Sequence, residues 1–155
     1  MEDSPSWPLS RSLLEAVLTD RLSDRFVAEL VWERLEYRRQ SDGNGPWLAG
    51  PQTPEPWSVA FPEAPEVVAT RPASVALTRS IPREHKQLLK EQLRFAGYRI
   101  GELYPRRTRR ATVVSWLLAW LADRGDALPS AGPLPELLDP PANPVQGHPG
   151  DLPVG

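Results

Sequence analysis

Apolar residues along this 155-residue chain recur mostly at helical spacing. Leu13, Leu14, Val17 and Leu18 fall on one side of a short segment. Ser12, with Glu15 three residues later, gives that segment a capping-box start. Ser23 is placed to cap a second helix over Asp24 to Gln40, with Phe26, Val27, Leu30, Val31 and Leu35 in step. Ser41-Asp-Gly-Asn-Gly-Pro46 crowds turn formers together and should end that helix. Arg71–Ser80 fits either a helix begun by Pro72 or a short strand in which Val75 and Leu77 alternate with small residues; helix is the reading adopted. Pro82 opens a further helix to about Ala96, with Leu88, Leu89, Leu93 and Ala96 inward and Gly97 suited to the C-terminal cap. The last helix runs from Pro105 to Arg124, roughly 30 Å at 1.5 Å per residue. Thr108, Thr112, Ser115, Ala119 and Ala122 form a small-residue stripe on it, opposite Val113, Trp116, Leu117, Trp120 and Leu121. An apolar girth that wide belongs in the middle of a bundle. Trp32, Trp116 and Trp120, with Leu30, Leu93 and Leu117, are the expected core.

Prolines set the limits of this pattern. Seven fall between Pro46 and Pro72, where no helix can run through. Trp47, Trp57, Val59 and Phe61 lie among them, so the segment reads as an irregular or polyproline-like arm anchored by its aromatic residues. Eight more prolines follow Gly125 with no helical period, which predicts a disordered tail. The expectation is one all-α domain: a flexible N-terminus over 1–8, a compact bundle of four or five helices over 9–124 with the arm at 46–72, and a disordered Pro-rich tail over 125–155.

Charge changes the picture. The net charge is −2, but from Arg79 to Arg110 there are ten Arg/Lys against three Glu, a local +7. Arg106, Arg107, Arg109 and Arg110 crowd the start of the last helix. A helix N-terminus carries partial positive charge and disfavours each cation there by ~0.3–1 kcal/mol. Lys86, Lys90 and Arg94 recur at i, i+4 and i+8 on the preceding helix. These seven residues are the candidate partner-binding set. An acidic protein surface is the leading partner, since guanidinium forks bind carboxylates in bidentate fashion. Non-specific nucleic-acid binding is the alternative, although the connection between the last two helices is too long for a helix-turn-helix. A third possibility is that the four arginines pair with acidic residues of the helix over Asp24 to Gln40 or of the tail.

Other chemistry finds no support. The chain has no cysteine, which excludes disulfides and thiolate sites. His85 and His148 are not arranged as a metal pair, and no phosphate-binding glycine loop or nucleophile elbow occurs. Glu29, Glu33 and Glu36 share a helix face with arginines nearby and read as a solvated, charge-mixed surface. No cofactor is expected. An enzyme would need a pocket formed by the arm around Trp47 and Trp57. The longest apolar run, Ala111–Ala122, is too short for a membrane span, and the acidic N-terminus is no secretory signal, so a cytoplasmic protein is expected.

Arg71–Leu93, Gly97–Thr112 and the run Leu30-Val-Trp-Glu-Arg-Leu-Glu-Tyr37 resemble one known family, the cyanobacterial and chloroplast domain of unknown function numbered eighteen-twenty-three. The resemblance covers about Leu13 to Asp123. It implies a cyanobacterial or plastid origin and suggests a photosynthesis-linked task, and it carries no activity or catalytic residues. The functional expectation is a non-enzymatic accessory protein that binds an acidic or otherwise anionic partner.

Overall fold

A computed structural model describes residues 6–40 and 45–155. The described chain is mostly helical, in the order α1 (Arg11–Leu18), α2 (Asp24–Arg34), β1 (Tyr37–Arg39), β2 (Trp47–Ala49), α3 (Glu55–Ala60), α4 (Arg71–Ser80), α5 (Leu88–Leu93) and α6 (Pro105–Asp123). Six helices and a two-stranded hairpin thus replace the expected four or five helices. No helix among the described residues is long and apolar enough to cross a membrane.

Local chemistry explains most of the boundaries. Ser10, not Ser12, caps α1, its hydroxyl accepting from the Leu13 N–H at 3.1 Å. Ser23 caps α2 by accepting from the Phe26 N–H at 3.1 Å, as expected. Helix α2 stops six residues early because Glu36 turns into the left-handed region (φ 65°) and the chain leaves as a strand. Strand β1 pairs antiparallel with β2, Arg38 opposite Leu48. The turn expected at 41–46 falls between these strands, and residues 41–44 lie outside the described part. Pro72 stands in the first turn of α4, where a missing N–H costs nothing. The expected helix from Pro82 is broken into a 3₁₀ turn at Arg83–His85 and the short α5, which Arg94 ends in a left-handed conformation (φ 55°).

Helix α6 is the axis, touching α1, α2, α4 and α5. Its Val113, Val114, Trp116, Leu117 and Leu118 are buried against Leu13, Leu14, Val17, Leu30, Val31 and Leu77. Each such side chain contributes about 1.5–3 kcal/mol of apolar burial. The proline-rich arm is less irregular than expected. It supplies β2 and α3, and its chain returns beside β2 through Ala49 N–H to Pro62 O and Ala64 N–H to Trp47 O, both 2.9 Å. Trp47 and Trp57 are packed into the core rather than lining a cleft, with Trp47 5.5 Å from Trp32 and Trp57 5.6 Å from Phe61. The Trp32 indole N–H donates to Pro65 O at 2.7 Å, tying the arm to α2.

Both ends depart from expectation. Trp7 packs edge-on against Phe26 at 5.4 Å, so the described part of the N-terminus is anchored; residues 1–5 lie outside the described part. The segment from Gly125 is the one expected to be a disordered tail. It has no helix or strand, yet it lies along the domain. Arg11 N–H donates to Pro129 O (2.8 Å), Leu138 N–H to Arg21 O (2.9 Å) and Gly155 N–H to Ala69 O (2.8 Å). Prolines forbid a ladder, but the remaining backbone groups find partners one at a time.

Candidate functional site

Arg106 and Arg110 stand one turn apart on α6 and therefore share a face. That face points inward, and both side chains are 0% exposed. Asp20 and Asp24 meet them. Asp20 sits in a left-handed turn (φ 63°) after α1, and Asp24 is the first residue of α2. Arg106 grips both carboxylates with two forks. Nη1 and Nη2 donate to Asp20 Oδ2 and Oδ1, each at 3.0 Å, while Nε and Nη2 donate to Asp24 Oδ2 and Oδ1 at 3.0 and 2.6 Å. Nη1 also reaches Pro144 O at 2.9 Å, so all five N–H groups have acceptors. Arg110 donates to Asp24 Oδ1 (2.8 Å), Val17 O (2.9 Å) and Leu22 O (2.7 Å), which closes the carbonyls around the α1–α2 turn. Asp151 completes the group, with Oδ2 3.5 Å from Arg106 Nη2.

The electrostatics follow from the geometry. Burial pushes the Asp20 carboxyl up, but the Arg106 hydrogen bonds and the charges of Arg110 and Arg106 outweigh it and hold its pKa below the ordinary value. Burial pulls Arg106 down, and the bonds to Asp24 and Asp20 more than reverse that. The carboxylates converge on a guanidinium, which takes the place a cation would take. Among the described residues no group of three His, Cys, Asp or Glu side chains is arranged to hold a metal ion.

Arg106 and Arg110, expected in the partner-binding set as exposed cations repelled by their own helix, are instead buried and paired with the chain's own carboxylates. Arg107 is mostly covered and lies 3.7 Å from Asp20 and 3.8 Å from Glu102. Arg109 donates to Val68 O and Ala69 O (3.1 Å each) and to Gly155 O (2.9 Å). All four arginines are thus engaged within the molecule.

Lys86, Lys90 and Arg94 are different. All three are exposed, and none pairs with a carboxylate among the described residues. They do not form one stripe, because the break before α5 and the left-handed turn at Arg94 re-aim them. Lys86 and Lys90 border a groove of about 340 Å³ between α5 and α6, lined by Leu89, Phe95, Leu103 and Ala111. Lys86 also borders an adjoining groove of about 240 Å³ beside Ile81 and Thr112. Thr108, Thr112 and Ser115 of the small-residue stripe line these grooves, whereas Ala119 is buried. Arg94 borders a separate groove of about 570 Å³ with Glu15, Leu93, Tyr98 and Glu102. Only Lys86 and Lys90 therefore act on one surface.

Residues 8–122 match the family described as Domain of unknown function (DUF1823). The chain belongs to this family. One solved structure, determined by NMR in solution, is similar to it at 46% identity and a TM-score of 0.66, over 77% of this chain and 98% of its own. None of the curated proteins matches. The DUF1823 region contains the buried arginines, Asp20, Asp24 and the Lys86/Lys90 grooves, but not the segment that carries Asp151 and His148.

Asp20, Asp24, Asp151 and His148 are not singled out by the sequence, although the helix from Asp24 and the tail are the segments expected to hold acidic partners if the arginines pair internally. Asp20 and Asp24 flank a turn between two helices, and an acidic pair there is a usable sign of a buried cation partner only once Arg106 is known to face inward. Asp151 and His148 lie in a stretch whose composition suggests no structure at all. His148 is nonetheless buried, its Nε2 2.9 Å from Asp20 O.

Proposed function

We propose that this DUF1823 chain is a non-enzymatic accessory module that binds an acidic protein segment in the grooves beside Lys86 and Lys90. Two exposed ammonium groups without carboxylate partners, set on the rim of an apolar groove, are the observation that carries the reading. Apolar surface continues past the groove: Ile100 is 90% exposed and Leu103 52%. Isolated exposed apolar residues need no explanation, but Leu103 lines the groove together with Leu89 and Phe95. Exposed ion pairs contribute only ~0.2–1 kcal/mol each. The lysines would therefore orient the partner, and apolar anchors on Leu89, Phe95 and Leu103 would supply most of its affinity. The partner chemistry this fits is a segment with Asp/Glu flanking one or two large apolar residues. Among the described residues no base-reading element is presented, which favours a protein over a nucleic acid.

The test is fluorescence polarisation with a labelled synthetic peptide alternating Glu with Leu and Phe, against wild type and K86E/K90E. Binding by wild type that weakens at least about tenfold in the variant supports the proposal, tenfold being about 1.4 kcal/mol. A labelled DNA duplex and an RNA oligonucleotide are run beside it at two salt concentrations. Nucleic-acid binding that is tighter and falls steeply with salt would replace the proposal; equal peptide binding by both proteins would end it.

A further inference from the structure

Asp151 is held as a ligand is held. Its Oδ1 accepts the Asp24 N–H, the first free amide of α2, at 3.0 Å. Its Oδ2 accepts the His148 N–H at 2.7 Å and lies 3.5 Å from the buried Arg106 guanidinium. His148 Nδ1 faces the same oxygen at 3.3 Å; its side chain is 3% exposed, and that nitrogen has no hydrogen-bond partner. We propose that this cleft is an oxyanion site of the DUF1823 domain, occupied in cis by the chain's own Asp151.

Charge supports this. Arg106, Arg107 and Arg110 face the buried Asp20 and Asp24, Arg107 also lying 3.8 Å from the half-exposed Glu102, and the Asp151 carboxylate adds its charge on the Arg106 side. A helix N-terminus and a guanidinium together favour a negative occupant. The walls belong to residues 8–122, the region matched to the family, and the occupant does not.

The covering segment is shaped to fit and weakly anchored. Gly147 lies at φ 88°, and a Cβ there would stand 2.6 Å from Asp151 Oδ2 and 2.7 Å from Arg106 Nε. Backbone alone can pass so close to the guanidinium. Leu134, Leu138, Val145 and Leu152 remain exposed, so the segment is held mainly by single hydrogen bonds rather than by a core of its own. Such a segment opens at a lower free energy than the helices beneath it. The ligand class that would replace Asp151 is a small oxyanion, a carboxylate or a phosphate.

Full-length D151A and G147A test this with sodium acetate and inorganic phosphate as separate arms, against sodium chloride at matched ionic strength. In D151A, one of the oxyanions should raise Tm saturably and shift the Asp24 amide resonance, and chloride should do neither; the arm that responds names the ligand chemistry. G147A keeps the carboxylate but cannot seat it, and should respond in the same way. Wild type gives a reading that does not depend on either variant folding. The same oxyanion should speed hydrogen exchange of the Leu138 and Gly155 amides by about tenfold at ten times its Kd, because it binds only the open form. A folded D151A without an Asp24 shift overturns the site; where D151A does not fold, unchanged exchange in wild type overturns it. These readouts are independent of Lys86 and Lys90, so failure of the groove proposal leaves them intact.

Discussion

Two basic regions of this chain look alike in sequence and differ in what they face. Arg106 and Arg110 are buried, Arg106 with all five guanidinium N–H groups accepted and Arg110 with three hydrogen bonds, to Asp24 and two backbone carbonyls. Lys86 and Lys90 stand exposed beside a groove and make no ion pair with a carboxylate among the described residues. A run of cations therefore says little until the partner of each is known. The residue types follow the division: the planar fork of Arg serves two carboxylates at once in the interior, while the compact ammonium of Lys remains hydrated at the rim. Buried charge of this kind specifies which elements meet, and removing one partner is far costlier than the pair is stabilising.

The sharpest way to break the comparison is to remove one charge from each region. R106M leaves Asp20 and Asp24 buried without their main partner and should cost about 3–5 kcal/mol in urea denaturation. K86E/K90E should stay within about 0.5 kcal/mol of wild type in the same assay. Equal losses would erase the distinction between the regions.

Acid comes next. Asp20 is held below its ordinary pKa of 3.8 in the folded state. A depressed carboxyl contributes stability in full above its unfolded value and loses it as pH falls through the folded one. Unfolding free energy followed from pH 6 to pH 2 should fall below about pH 4, by about 1.4 kcal/mol per unit of depression, and D20N should flatten that part of the curve. Glu33 and Glu66 shift the other way, because burial raises them. Their share of stability is present at low pH and lost as pH rises through their folded values, so E66Q should leave the acid fall intact.

Smaller effects sharpen the boundaries of the elements that carry the cluster. S10A and S23A should each cost about 1 kcal/mol by removing a cap, and S12A should change stability by less than about 0.5 kcal/mol, read by thermal unfolding. The smallest effect is expected from salt. Raising NaCl to 0.5 M should weaken acidic-peptide binding at the lysine groove while moving the unfolding free energy by no more than about 0.5 kcal/mol, because buried pairs are poorly screened.

The helical frame was legible where the signal was local. Ser23 capped as expected, Pro72 and Pro105 each opened a helix, and the apolar girth of α6 put it at the centre. The hairpin was missed because Leu35 kept helical step with Val31, while the strand signal lay in the Asp-Gly and Asn-Gly pairs between Tyr37 and Trp47. The arginine cluster was half legible. Cations at the start of α6 do require anions, but Asp20 and Asp24 lie more than eighty positions earlier, and no local pattern marks such a pairing. For the segment after Gly125 the expectation of disorder rests on eight prolines and the lack of a helical period, neither of which registers single backbone hydrogen bonds or one buried histidine.

The double fork on Arg106 also sets an order of events. Asp20 and Asp24 leave the ribosome 86 and 82 residues ahead of the guanidinium that neutralises them. The buried contacts of Asp20 and Asp24 with Arg106 therefore form only once α6 has been made. A folding φ-value near zero at Asp20 is the kinetic mark of that delay.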